Sequence, residues 1–209
     1  MWKLFDKIGL NSADVGVGFA KAKLDAGAKL RAQNRGEEAI AMYDEVVRRF
    51  GGASEPKLHE VVAKALINKG ETLGQLRRYQ EAIAMYDEVI RRIGNSTEPE
   101  LRRLIPHTLL RKGTALQEYD RFEEAISVYD QMVLMLKEAT VPEQRELTVR
   151  ALIGKATGLG ALNRVEEEIR VYDEVVRGFG DAKESSVQEL VAAVAAERGR
   201  RQMRGSTSA

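Results

Sequence analysis

The stretch AIAMYDEVV at residues 39–47 returns as AIAMYDEVI at 82–90, 43 residues later. It returns twice more in weaker form, as AISVYDQMV at 125–133 and EIRVYDEVV at 168–176. Its tyrosines are Tyr43, Tyr86, Tyr129 and Tyr172. A second register keeps the same step through Gly27, Gly70, Gly113, Ala156 and Gly199, and a third holds Pro56, Pro99 and Pro142. Three registers at one spacing signify stacked copies of one supersecondary unit.

Each copy reads as two helices. Val61, Val62, Ala65, Leu66, Leu73 and Leu76 recur at helical spacing, and Ala82, Ile83, Met85, Tyr86, Val89, Ile90 and Ile93 repeat the pattern. Strand alternation is absent. The spacing predicts helix pairs at about 12–33 with 37–50, 55–76 with 80–93, 98–119 with 123–137, and 141–162 with 166–179, then a lone helix at about 185–203. Repeat boundaries follow at about 12–53, 54–96, 97–139 and 140–182, with the final helix at 185–204 and a disordered tail at 205–209. Ser54, Thr97 and Thr140 are placed to cap the first helices, and Thr97 with Glu100 and Thr140 with Glu143 have capping-box spacing. Gly51, Gly94 and Gly180 are expected to end the second helices in a left-handed conformation. Gly70 and its equivalents belong where two helices approach closely, with Ala82 facing the gap and Tyr86 as the large knob.

The chain has 209 residues, 44% hydrophobic and 31% charged, with a formal charge of +1. That composition is globular, and no global field draws it to nucleic acid. There is no cysteine, hence no disulfide, thiolate metal site or cysteine nucleophile. No run reaches the roughly 18 apolar residues of a membrane span, and the N-terminus lacks a signal-peptide pattern. The reading is a cytoplasmic protein. His59 and His107 show no metal spacing, and GVGFAK at 16–21 has the wrong spacing for a phosphate loop; it lies in the predicted first helix and is read there as an irregular or loosely packed turn. No cofactor, metal or catalytic group is expected, and the chain is not read as an enzyme.

The repeat resembles the tetratricopeptide repeat. The carrying residues are Gly70, Tyr79, Ala82 and Tyr86, then Gly113, Phe122, Ala125 and Tyr129. The last copy, Ala156, Val165, Glu168 and Tyr172, departs at the glutamate, and the first, Gly27, Gly36, Ala39 and Tyr43, departs at Gly36. The resemblance is to a 43-residue-period variant of bacterial type. It implies an all-α, right-handed α-solenoid of four antiparallel helix hairpins plus a C-terminal capping helix. It also implies a scaffold whose first helices line a concave groove that binds a protein or peptide segment.

The groove residues follow from position in that family's geometry. Lys21, Lys64, His107 and Arg150 lie six residues before the small residue and form one basic column. Asn68, Glu71, Arg111, Thr114 and Thr157 lie beside it and vary between copies. The column suits an acidic or phosphorylated segment or a terminal carboxylate, held by charge-assisted hydrogen bonds; a solvated face is the alternative. Asn68, His107 and Arg111 also match part of the family's carboxylate clamp, but Leu24 and Ala28 stand where its first-helix lysine and asparagine would be. The Lys69, Lys112, Lys155 ladder is read as pairing with Asp44, Asp87, Asp130 and Asp173 between helices, with solvated charge as the alternative.

Other segments carry further expectations. Pro106 interrupts its helix with a kink or a break. MWKLFDKIGL lies within an amphipathic segment at 1–11 that caps the first hairpin, docks a partner or touches a membrane surface. Val187, Leu190, Val191 and Val194 either cap the solenoid or wait for another chain, and self-assembly into a homo-oligomer through the solenoid ends is the competing function.

Overall fold

The computed structural model describes residues 12–138 and 141–206. Among them the secondary structure is helical: α1 Ser12–Ala32, α2 Gly36–Phe50, α3 Pro56–Gln75, α4 Tyr79–Ile93, α5 Pro99–Glu118, α6 Phe122–Met135, α7 Pro142–Ala161, α8 Val165–Phe179 and α9 Ser185–Ser206. The chain divides into two compact units, 1–108 and 109–209. In the first, α1 packs on α2, both pack on α3, and α3 packs on α4. In the second, α6 packs on α7, α7 on α8, and α9 lies against α8 and α7.

The pairs are held by glycine–tyrosine contacts. A β-carbon on Gly27 would lie 2.5 Å from Tyr43 Cε1, and one on Gly113 would lie 2.5 Å from Tyr129 Cε1. The ring thus fills the space that a side chain on the first helix would need. Ala39, Ala82 and Ala125 are fully buried in the adjoining turn, as the gap requires. Tyr129 is also covered by Gly154 of α7, where an added β-carbon would again run into the ring. Its hydroxyl donates to Gln117 Oε1 at 3.0 Å, and Gln117 Nε2 donates to the Gly154 carbonyl at 2.8 Å.

The turn between paired helices is more regular than the sequence reading foresees. Asn34, Arg77, Asp120 and Asn163 each take a left-handed backbone, with φ of 57° to 59°. Arg35 N–H donates to Leu30 O and Asn34 N–H to Arg31 O, the bond pair of a Schellman ending. Arg78, Arg121 and Arg164 repeat the first bond, to Leu73, Leu116 and Leu159. These four arginines then open the next helix and grip its third residue. Arg78 Nε and Nη2 meet Glu81 at 2.6 and 2.7 Å, and Arg121–Glu124, Arg164–Glu167 and Arg35–Glu38 form the same fork.

Several expectations are corrected. Gly51, Gly94 and Gly180 end their helices in right-handed geometry, because the C-cap N–H simply continues the helical pattern to Val47, Ile90 and Val176. Glu55, not Ser54, occupies the N-cap of α3, without a side-chain cap bond, and Val141 occupies that of α7. GVGFAK is regular helix within α1, with Gly16 against the Phe50 ring and open space beside Gly18. Pro106 does not split α5, which continues from Pro99 to Glu118. Val187, Val191 and Val194 are buried in the core of the second unit, with Leu190 packed beside them, so this face of α9 is covered by its own chain. Helix α9 reaches Ser206, two residues into the segment expected as tail. The N-terminal segment at 1–11, Thr140 and residues 207–209 lie outside the described residues.

Candidate functional site

In the first unit a groove of about 420 Å³ opens between α1 and α3. Val17, Leu24 and Val61, all buried, give it an apolar floor. Lys21, Lys57 and Lys64 stand on its rim beside Asp25 and Glu60. The helical period explains the arrangement: Val17, Lys21 and Leu24 share one stripe of α1, and Lys57, Val61 and Lys64 share one stripe of α3.

The rim ammoniums are not equivalent. Lys64 Nζ lies 2.6 Å from Glu60 Oε1, and Lys57 Nζ is 3.5 Å from Asp14 Oδ1. Lys21 is exposed and has no hydrogen-bond or ion-pair partner among the described residues. It therefore offers charge-assisted donors above an apolar floor. The half-buried Asn68 stands one helical turn beyond Lys64. Glu71 is held by Arg31 in an ion pair between α3 and α1. Leu24, in the floor, cannot supply the first-helix cation of a carboxylate clamp.

His107 lies on the part of α5 within the first unit and is half-buried. Arg111 and Thr114 follow on α5, and Arg150 and Thr157 lie on α7, all four in the second unit. Arg150 Nη2 is 2.7 Å from Glu146 Oε1. The Thr114 and Thr157 hydroxyls turn back to the Leu110 and Ile153 carbonyls at 3.1 and 3.0 Å. Such bonds satisfy the hydroxyl hydrogen locally and leave the oxygen as an acceptor.

The charge ladder is an element of structure. Lys69 pairs with Asp44 and Lys155 with Asp130, each at 2.6 Å, and Arg198 of α9 takes the lysine's place opposite Asp173.

The second unit holds a pocket that sequence reasoning did not find, also of about 420 Å³, between α7 and α9 over α8. Thr157, Glu197, Arg200 and Arg201 line it, and the buried Glu168 and Tyr172 lie deeper. Glu168 occupies the position of Ala39, Ala82 and Ala125, and is 1% exposed. Gly160 makes room, since a β-carbon there would lie 3.0 Å from both carboxylate oxygens. Tyr172 donates to Glu168 Oε1 at 2.8 Å, and burial together with this carboxylate pushes the phenol well above its ordinary range. The signal in the sequence was the departure from alanine at Glu168.

Among the described residues no helix is long and apolar enough to cross a membrane. No curated protein matches the sequence. Residues 63–95 match the family model for the tetratricopeptide repeat. Two solved structures share the fold, both of a putative kinesin light chain from Podosopora anserina with nearly identical TPR-like repeats. One, a form carrying a single substitution, has a TM-score of 0.66 at 14% identity, and the other 0.65 at 15%, each covering 88% of both chains. The paired helices, the alanine–tyrosine register and the matched segment make this chain similar to the tetratricopeptide-repeat proteins.

Proposed function

We propose that the chain is a noncatalytic interaction scaffold whose α1–α3 groove holds an acidic segment of a partner protein. Tetratricopeptide repeats generally mediate protein–protein interaction, which supports the class of function. The choice of an acidic segment rests on one observation: Lys21 carries an ammonium that is unpaired among the described residues, over an apolar floor, with Lys64 on the facing helix. A segment that alternates carboxylates with aliphatic side chains would satisfy both the rim and the floor. His107, Arg111 and Arg150 extend the basic character of the first helices along the chain.

Fluorescence anisotropy with a labelled Glu/Leu decapeptide and its Lys/Leu counterpart tests the reading. The acidic peptide should bind, and Lys21→Glu should weaken it about tenfold or more, equivalent to about 1.4 kcal/mol. Lys21 supports no ion pair among the described residues, so circular dichroism of the variant should match the wild type. Equal binding of both peptides, or no loss in the variant, would refute the acidic assignment.

A further inference from the structure

One oxygen of the buried carboxylate in the α7–α9 pocket lacks a donor. Glu168 Oε1 accepts from the Tyr172 hydroxyl at 2.8 Å and from Arg201 Nε at 3.1 Å. Glu168 Oε2 is buried, and no described group donates to it. A carboxylate offers about four acceptor sites, and a bare buried acceptor is unfavourable. The void beside it runs from apolar Ile153 and Val194 to a polar mouth at Thr157, Glu197 and Arg200.

The chemistry narrows the occupant. Two carboxylates, Glu168 and Glu197, and two arginines, Arg200 and Arg201, line the pocket, and an anion would bring the bare oxygen no donor. An apolar group would leave Oε2 without a donor. Arg201 shows that a guanidinium fits against this carboxylate, but it reaches only Oε1, through a single nitrogen. Its side chain is 30% exposed, and its second contact is Glu197, with Nε 3.8 Å from Oε1. Arg201 can leave Glu168 and keep a carboxylate partner in Glu197, which also accepts from Arg200 Nε at 2.8 Å.

We infer that this pocket is a binding site for a guanidinium group, such as an arginine side chain presented by a partner. The incoming group forks onto Glu168 and supplies the donor that Oε2 lacks, Tyr172 holds Oε1, and Arg201 withdraws to Glu197. The site is separate from the α1–α3 groove and does not depend on it.

The test titrates N-acetyl-arginine amide into the full chain by calorimetry, with the uncharged N-acetyl-citrulline amide as its near-isosteric control. Saturable binding of the arginine compound, with citrulline at least about tenfold weaker, is expected. Glu168→Gln should lose the binding. Because that variant can also loosen α9, Thr157→Trp is measured beside it; this substitution fills the mouth without touching Glu168 and should also abolish binding. Absence of saturation at about 10 mM, equal binding of citrulline, or binding retained in Thr157→Trp would overturn the site and leave Glu168 as a fastener of α9.

Discussion

A β-carbon on Gly70 would lie 2.7 Å from Cε1 of Tyr86, well inside van der Waals contact. Gly70 lies on α3 and Tyr86 on α4, so the ring is the spacer of that helix pair. The ring is 3% exposed, and Gly70 is buried beneath it. Close packing leaves little room for relaxation at such a contact.

Gly70→Ala should therefore destabilise the chain by about 1–3 kcal/mol, the usual range for overpacking. Tyr86→Ala should cost about 3–5 kcal/mol by leaving a cavity. Denaturant unfolding of both variants and of the double variant checks the mechanism. If the clash is with the ring, Gly70→Ala is much less harmful once the ring is gone. Additive costs would place its effect elsewhere.

Most of this packing was legible in the sequence, because each helix repeats its apolar positions and the tyrosines and glycines keep one step. The helix ends were less so. Glycine is the usual left-handed residue, which drew attention to Gly51, Gly94 and Gly180, yet the left-handed positions are Asn34, Arg77, Asp120 and Asn163. Those residues also repeat every 43 positions, but Arg77 breaks an otherwise asparagine–aspartate series and hides it. The placement of a side chain was legible where one helical stripe decides it, as for Lys21 and Lys64 beside one groove. It was not legible for Glu71, whose partner Arg31 comes from the preceding repeat. Nor was it for Glu168, whose setting depends on where α9 docks.

The Lys155–Asp130 pair joins α7 to α6 at 2.6 Å, with Lys155 24% and Asp130 52% exposed. Water and salt reach such a pair, so a double-mutant cycle with Lys155→Met and Asp130→Asn should give a coupling of only about 0.2–1 kcal/mol. Raising the salt to about 1 M, where the screening length falls to roughly 3 Å, should shrink it. Coupling well above that range, insensitive to salt, would mean that the ladder fixes the stacking rather than decorating it.

Glu88 on α4 is gripped by two arginines. Arg91 Nη2 lies 2.5 Å from its Oε1, and Arg92 Nε lies 2.6 Å from the same oxygen. The Arg91 hydrogen bond, then that of Arg92, lowers its pKa from 4.5 to about 2. A depressed carboxyl pKa stabilises the folded chain fully above the unfolded value, and the contribution fades as pH falls from 4.5 through 2. The stability gap between wild type and Glu88→Gln should thus be flat near neutrality and narrow below about pH 4.5. A gap of constant size down to about pH 3 would contradict the double grip.

Arg77 is the residue in its series least suited to its backbone. Its φ is 59°, where a β-carbon crowds the following carbonyl, while asparagine and aspartate fill the three equivalent positions. Its side chain is exposed, and the turn's bonds run through backbone groups, Arg77 N–H to Gly74 O and Arg78 N–H to Leu73 O. Replacing it therefore removes little packing. Arg77→Gly should relieve the strain without disturbing those bonds, offset in part by the greater freedom of glycine in the unfolded chain. The net gain should be about 0.5–1 kcal/mol, and Arg77→Asn should gain less. Asn163→Ala, the opposite change at the equivalent turn before α8, should lose stability. Thermal unfolding of the three variants decides the matter: if Arg77→Gly unfolds below the wild type, the left-handed turn is not where this repeat stores strain.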